Sequence, residues 1–144
     1  MKDFETLEEW VKEINLAEIP IIVEGKNDIK ALRSIGIDNE VFSLSKKPIY
    51  KVVEDFEAKE TIILTDFDKK GKELYGRLKS SLQSMGVKVD NFFREWLQKN
   101  MKISHIEGIE GAKNNKNCYI KNNNKMRLKN KIEDSNRDEI LEEE

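Results

Sequence analysis

The sequence predicts an α/β domain: a mainly parallel sheet of about four strands, with helices on both faces. Three observations lead there. Short, continuous β-branched runs such as Ile19–Val23 and the stretch TIILTD (61–66) suit strands buried on both sides, as in a parallel sheet. Between them lie segments whose apolar residues recur at helical spacing. The two kinds of segment alternate along the chain, as parallel strands joined by crossover helices require.

The elements follow in order. Phe4, Leu7, Val11 and Ile14 share a helical face over residues 4–16, with Thr6 and Glu9 spaced as a capping box. After strand Ile19–Val23, Asn27 is expected to cap a helix that carries Ile29, Leu32 and Ile35 inward and stops at Gly36. Glu40–Leu44 is the second strand, and Pro48 opens a helix bearing Ile49, Val52, Val53 and Phe56. TIILTD is the third strand, followed by a helix over Lys70–Met85 that ends at Gly86. Val87–Val89 makes a short fourth strand, and Asn91–Met101 a helix with Phe92, Phe93, Trp96 and Leu97 on one side. Ile103–Ile106 is expected to add one more short strand.

The chain divides into an N-terminal helix (1–17), the α/β domain (18–111) and a C-terminal tail (112–144). Lys113–Lys131 holds seven Lys/Arg, seven Asn and no acid, and Asp134–Glu144 is mostly acidic. Without a sustained apolar face such a tail is expected to be poorly ordered.

Composition narrows the function. Of 144 residues, 38% are hydrophobic and 38% charged, a balance that suits a very soluble globular protein and not a membrane protein. One cysteine, Cys118, excludes an internal disulfide, and one Cys with one His argues against a zinc enzyme. The N-terminus lacks a signal-peptide pattern, so a cytoplasmic location is expected. The net charge of −2 does not advertise nucleic-acid binding, so that case must rest on local charge.

Three acids carry it. Glu24 ends the first strand, Asp66 ends the third, and Asp68 follows two residues later. Sites in open α/β sheets form beyond the carboxyl ends of strands. Residues at i and i+2 of an extended chain point the same way, so Asp66 and Asp68 can aim at one hard cation such as Mg²⁺. Plainer roles compete: Glu24 as a charge flanking a helix, Asp66 as an N-cap, Asp68 as a solvated turn acid. Lys26, Lys46, Lys47, Lys69, Lys70 and Lys72 cluster on loops at the same expected edge, where an anionic substrate would bind, although each alone could be a surface ion pair. His105 reads as structural, Glu107 as a possible further acid, and the aromatic residues 92, 93 and 96 as core in preference to a base-stacking platform. Tyr50 and Tyr75 are not expected to be nucleophiles.

At these residues the chain resembles a known family. IIVEGKNDIKAL (21–32) followed by IILTDFDKKGKEL (62–74) is similar to the Toprim domain, a Rossmann-like fold. That domain is shared by bacterial-type primases, type IA and type II topoisomerases, certain nucleases and recombination mediators, and the ribonucleases that mature 5S ribosomal RNA. The likeness covers about residues 18–111 and runs especially to small stand-alone archaeal primase-like Toprim proteins and, among groups of known activity, to the 5S-rRNA ribonucleases. It implies Glu24 as general acid/base and in part a metal contact, and Asp66 and Asp68 as holders of Mg²⁺, or Mn²⁺ in its place. It implies Gly25 as the glycine that turns the chain beside the site, and Gly71 as the family's small residue. The implied activity is Mg²⁺-dependent phosphodiester cleavage or transfer on nucleic acid, RNA slightly before DNA. The alternative is a non-catalytic scaffold or subunit of a larger DNA- or RNA-processing complex. Full primase or topoisomerase action is not expected, because 144 residues leave no room for the accessory domains.

Overall fold

The computed structural model describes residues 4–114. Helix α1 (Leu7–Ala17) precedes strand β1 (Ile21–Val23), helix α2 (Lys26–Ser34), strand β2 (Val41–Ser43) and helix α3 (Ile49–Asp55). Strand β3 (Glu60–Ile63), helix α4 (Lys69–Ser84), strand β4 (Lys88–Asp90) and helix α5 (Phe92–Asn100) follow. A 3₁₀ turn over Ile106–Gly108 then leads into helix α6 (Ile109–Asn114). The four strands form one sheet in the order β2-β1-β3-β4, every pair parallel. No helix among the described residues is long and apolar enough to cross a membrane.

The register explains the unbroken apolar runs. Ile21 pairs with Ile62 and Ile22 with Ile63, so successive residues alternate between two cores. Ile21, Val23, Ile62 and Leu64 pack with Trp10 and Ile14 of α1, Leu32 of α2 and Phe93, Trp96 and Leu97 of α5. Ile22 and Ile63 pack on the opposite face with Val53 of α3 and Leu78 and Leu82 of α4. A strand covered on both sides has no polar positions to spare.

Thr6 caps α1 as expected, its Oγ1 accepting from the Glu9 amide at 3.1 Å. Trp10, buried completely, was not part of the expected inward face; it sits four residues before Ile14 on the same stripe. Its indole donates to the Phe93 carbonyl at 3.0 Å, and that of Trp96 donates to the Phe4 carbonyl at 3.1 Å. The two rings stack at 6.4 Å. These reciprocal bonds fasten the N-terminal segment to α5.

Two expectations change. The cap of α2 is Gly25, not Asn27, because Asp28, three residues into the helix, reaches back to the Gly25 amide at 3.1 Å. Residues 103–106 form no strand: Ser104 O accepts from the Phe67 amide and Ile106 N donates to the Asp66 side chain, which leaves no ladder for a sheet neighbour. Helix α6 runs to Asn114. The rest of the expected tail lies outside the described residues.

Candidate metal centre

Because all strands are parallel, the loops after β1, β2 and β3 leave the sheet from one edge. The β1–α2 loop carries Glu24, and the β3–α4 loop carries Asp66 and Asp68.

The loop after β3 is held by a local set of bonds. Leu64 N still donates to Ile22 O, so pairing continues one residue beyond β3. Thr65 Oγ1, fully buried, donates to Gly71 O at 2.7 Å and closes the loop on the first turn of α4. Asp68 is the N-cap of α4, with Oδ1 accepting from Gly71 N at 2.8 Å. Gly71 passes so close beneath the loop that an added Cβ would lie 2.0 Å from Asp66 O. That approach gives Gly71 a steric reason to be glycine. Gly25 differs from expectation. Its φ is −145°, an extended conformation open to any residue, and a Cβ there would meet nothing within 4 Å. No turn requires glycine at position 25.

Arg94 of α5 braces the loop from below. Its guanidinium is almost fully buried between the rings of Phe67 and Tyr75, with centroids at 4.7 and 4.5 Å. It donates to Thr65 O and, at 3.1 Å, to Asp66 O. Burial pulls its pKa down, while Tyr75, Asp66 and Glu24 act in the opposite direction.

The three acids share one pattern. Glu24 Oε2 accepts from the Asp66 amide at 2.8 Å, Asp66 Oδ1 from the Ile106 amide at 2.8 Å, and Asp68 Oδ1 from Gly71 N. In each case one oxygen is fixed by a backbone N–H. Glu24 Oε1 and Asp66 Oδ2 accept no hydrogen bond among the described residues, and Asp68 Oδ2 lies 3.3 Å from His105 Nε2. Ligand atoms of Asp66, Asp68 and His105 all fall within 4.8 Å of one another. Glu24 stands just behind that group, joined through the Asp66 amide. Oxygen-rich, partly exposed and pre-oriented by amides, the donor set fits a divalent cation. Asp66 and Asp68 would hold it.

A fourth acid was not foreseen. Asp28 is 4% exposed, and its pKa is raised to about 6, chiefly by burial. The bond from Gly25 opposes that rise; Asp66, Glu107 and Glu24 add to it. Glu107 thus lies within electrostatic range of the cluster while remaining exposed. His105 is not on a strand: its exposed ring sits against Asp68. Arg94 did not figure among the sequence-based candidates, because the carbonyls it meets lie 28 and 29 residues away along the chain.

The lysines divide. Lys26 opens α2, and Lys69 and Lys70 open α4, all exposed and adjacent in sequence to the acids. Lys47 is bonded to Asp55 at 2.8 Å. With Lys46 it lines a cleft beside β2 that also includes Phe42 and Phe56 but not Glu24, Asp66 or Asp68. Phe93 and Trp96 are core, so neither offers a face to a base.

Comparison with known proteins adds to this geometry. The family model described as a Toprim domain matches residues 19–93. The UPF0292 protein of Methanocaldococcus jannaschii is 34% identical over 113 residues, spanning 74% of this chain and 88% of that protein. The UPF0292 protein of Pyrococcus abyssi is 35% identical over 121 residues, spanning 83% and 86%. A solved structure of a protein from Aquifex aeolicus superposes with a TM-score of 0.64 at 40% identity, over 70% of this chain and 95% of that one. The names of these relatives include neither primase nor ribonuclease.

Proposed function

This chain belongs to the Toprim domain family, and from that premise we propose that it performs divalent-cation-dependent phosphodiester cleavage or transfer on nucleic acid, RNA before DNA. The observation that carries the reading is the shared pattern of the acids: each of Glu24, Asp66 and Asp68 has one oxygen fixed by a backbone amide. Carboxylates oriented in advance bind a cation without first losing side-chain freedom.

In this reading Asp66 and Asp68 would hold Mg²⁺ or Mn²⁺, which would supply polarisation of the phosphate and offset the charge developing on it. Glu24, through Oε1, takes a proton from the attacking hydroxyl or delivers one to the leaving oxygen. Lys26, Lys69 and Lys70 draw the phosphate backbone to the loop edge, with Lys46 and Lys47 further along it. Residues 112–144 remain, in this proposal, a basic-then-acidic tail outside the α/β domain. The likeness to 5S-rRNA ribonucleases is the reason for placing RNA first.

A second reading is a non-catalytic module within a larger nucleic-acid-processing complex. It is favoured by the structural duties of the same acids, since Asp68 caps α4 and Glu24 secures the Asp66 amide. Incubating the full chain with labelled structured RNA, single-stranded DNA and duplex DNA, with and without Mg²⁺ or Mn²⁺, separates the two. The enzyme gives metal-dependent products that vanish in Glu24→Gln, whose amide oxygen can still accept from Asp66 N. Metal-dependent binding with no products supports the module instead.

A further inference from the structure

His105 gives the centre a nitrogen donor that the acid motif alone does not include. We propose that His105 Nε2 is a protein ligand to the cation held by Asp66 and Asp68. The resulting mixed nitrogen–oxygen set would select a first-row transition dication such as Mn²⁺ over Mg²⁺. The inference rests on the metal-centre reading above and adds a ligand and a preference to it.

Three observations converge. Nε2 lies 3.3 Å from Asp68 Oδ2, and the ligand atoms of Asp66, Asp68 and His105 lie within 4.8 Å of one another. Ligands about 2.1 Å from one ion are separated by at most about 4.2 Å, so small side-chain rotations bring all three onto a common centre. The other ring nitrogen is already engaged, with Nδ1 2.9 Å from Ser104 Oγ. In the tautomer that donates Nδ1–H to that oxygen, Nε2 offers its lone pair toward the acids, the arrangement by which metal-bound imidazoles are oriented. The segment carrying the ring is itself fastened to the acid loop, by Phe67 N to Ser104 O and by Ile106 N to Asp66 Oδ1. His105 is therefore flanked on both sides by bonds to the loop that carries the acids it would join at the metal.

The preference follows from donor chemistry. Mg²⁺ demands oxygen, keeps several waters and gains little from imidazole. Affinity for nitrogen donors rises from Mn²⁺ onward through the first transition row. One imidazole among two carboxylates leaves the site hard enough for Mn²⁺ and still discriminates against Mg²⁺.

The test is direct titration of the full chain with Mn²⁺, following loss of the free-ion paramagnetic resonance signal, with Mg²⁺ as competitor. Pulsed resonance then looks for ¹⁴N modulation on the bound Mn²⁺. The expectation is imidazole nitrogen coupling in the native chain and its loss in His105→Gln. That variant should bind Mn²⁺ about tenfold more weakly while its Mg²⁺ affinity changes less than about twofold. Ser104→Ala should retain the coupling but weaken Mn²⁺ binding several-fold. A far-ultraviolet melt establishes that each variant is folded. Binding that is lost in Asp66→Asn but carries no nitrogen coupling overturns the inference and spares the carboxylate centre. So does a His105→Gln variant that weakens both ions equally or neither. Absence of any saturable Mn²⁺ or Mg²⁺ binding overturns the inference together with the centre.

Discussion

The loops after β1 and β3 perform the same task in different ways. Each leaves a central parallel strand, carries an acid of the candidate centre and feeds a helix that must be capped. After β1 the cap is made by Asp28, buried behind the chain and bonded to Gly25 N, which leaves Glu24 outside the capping arrangement. After β3 the cap is made by Asp68, itself one of the candidate ligands. The first loop separates scaffold from chemistry and does so with a carboxyl whose ionisation burial opposes. The second combines them in one side chain, and it fits only because Gly71 brings the helix against the Asp66 carbonyl. The glycines of the two motifs therefore carry unequal weight.

The sharpest way to break that contrast is a pair of substitutions. Gly71→Ala drives a methyl into backbone and should cost about 3 kcal/mol or more, or abolish folding, in urea titrations. Gly25→Ala should change stability by less than about 1 kcal/mol. Equal effects would dissolve the distinction.

Next in size is the brace. Arg94→Met leaves the carbonyls of Thr65 and Asp66 without their guanidinium donor and should cost about 2–4 kcal/mol by the same measurement. Arg94→Lys should recover only part, because an ammonium cannot reproduce the two-pronged contact or the stacking between Phe67 and Tyr75.

The buried cap of the first loop then sets a pH dependence. With Asp28 titrating at about 6 in the fold and at 3.8 when unfolded, the native state holds the proton that the unfolded chain has released. Stability should therefore fall as pH rises from about 4 to about 6, by about 3 kcal/mol. Below that window the acid is protonated in both states and contributes nothing. Asp28→Asn, which keeps an oxygen acceptor for Gly25 N, should flatten the fall. Saturating divalent cation should also reduce it, by offsetting the charges of Asp66 and Glu24. Thermal melts across pH with and without the ion measure both effects.

The smallest effect separates the two duties of Asp68. Asn is as good an N-cap as Asp, so Asp68→Asn should hold stability within about 0.5 kcal/mol while weakening divalent-cation binding about tenfold in calorimetric titration. Asp68→Ala should lose about 1 kcal/mol of stability as well.

Much of this architecture was legible in the sequence because both faces of the sheet are buried. Ile21, Ile22 and Val23 pack into alternating cores, and only an unbroken β-branched run satisfies that demand. Glu24, Asp66 and Asp68 were legible because a carboxylate at the end of such a run is conspicuous. The bracing and the ring were not. Arg94 reaches carbonyls 28 and 29 residues away, and its helix gives no local sign of them. Residues 103–106 begin and end on β-branched isoleucine, yet their backbone groups go to Phe67 and Asp66. The α2 cap was misplaced by two positions because Asn27 is the stronger local signal, whereas Asp28 acts from inside the helix.

The indole pair has an optical consequence. Trp10 and Trp96 lie in one dry seam, stacked, each bonded to a carbonyl on the other side of it. Rings so placed emit at short wavelength, and release of α1 from α5 would wet both at once. The chain thus contains its own label-free fluorophore for the docking of its first helix: a red shift that precedes loss of circular dichroism would report α1 detaching before the sheet melts.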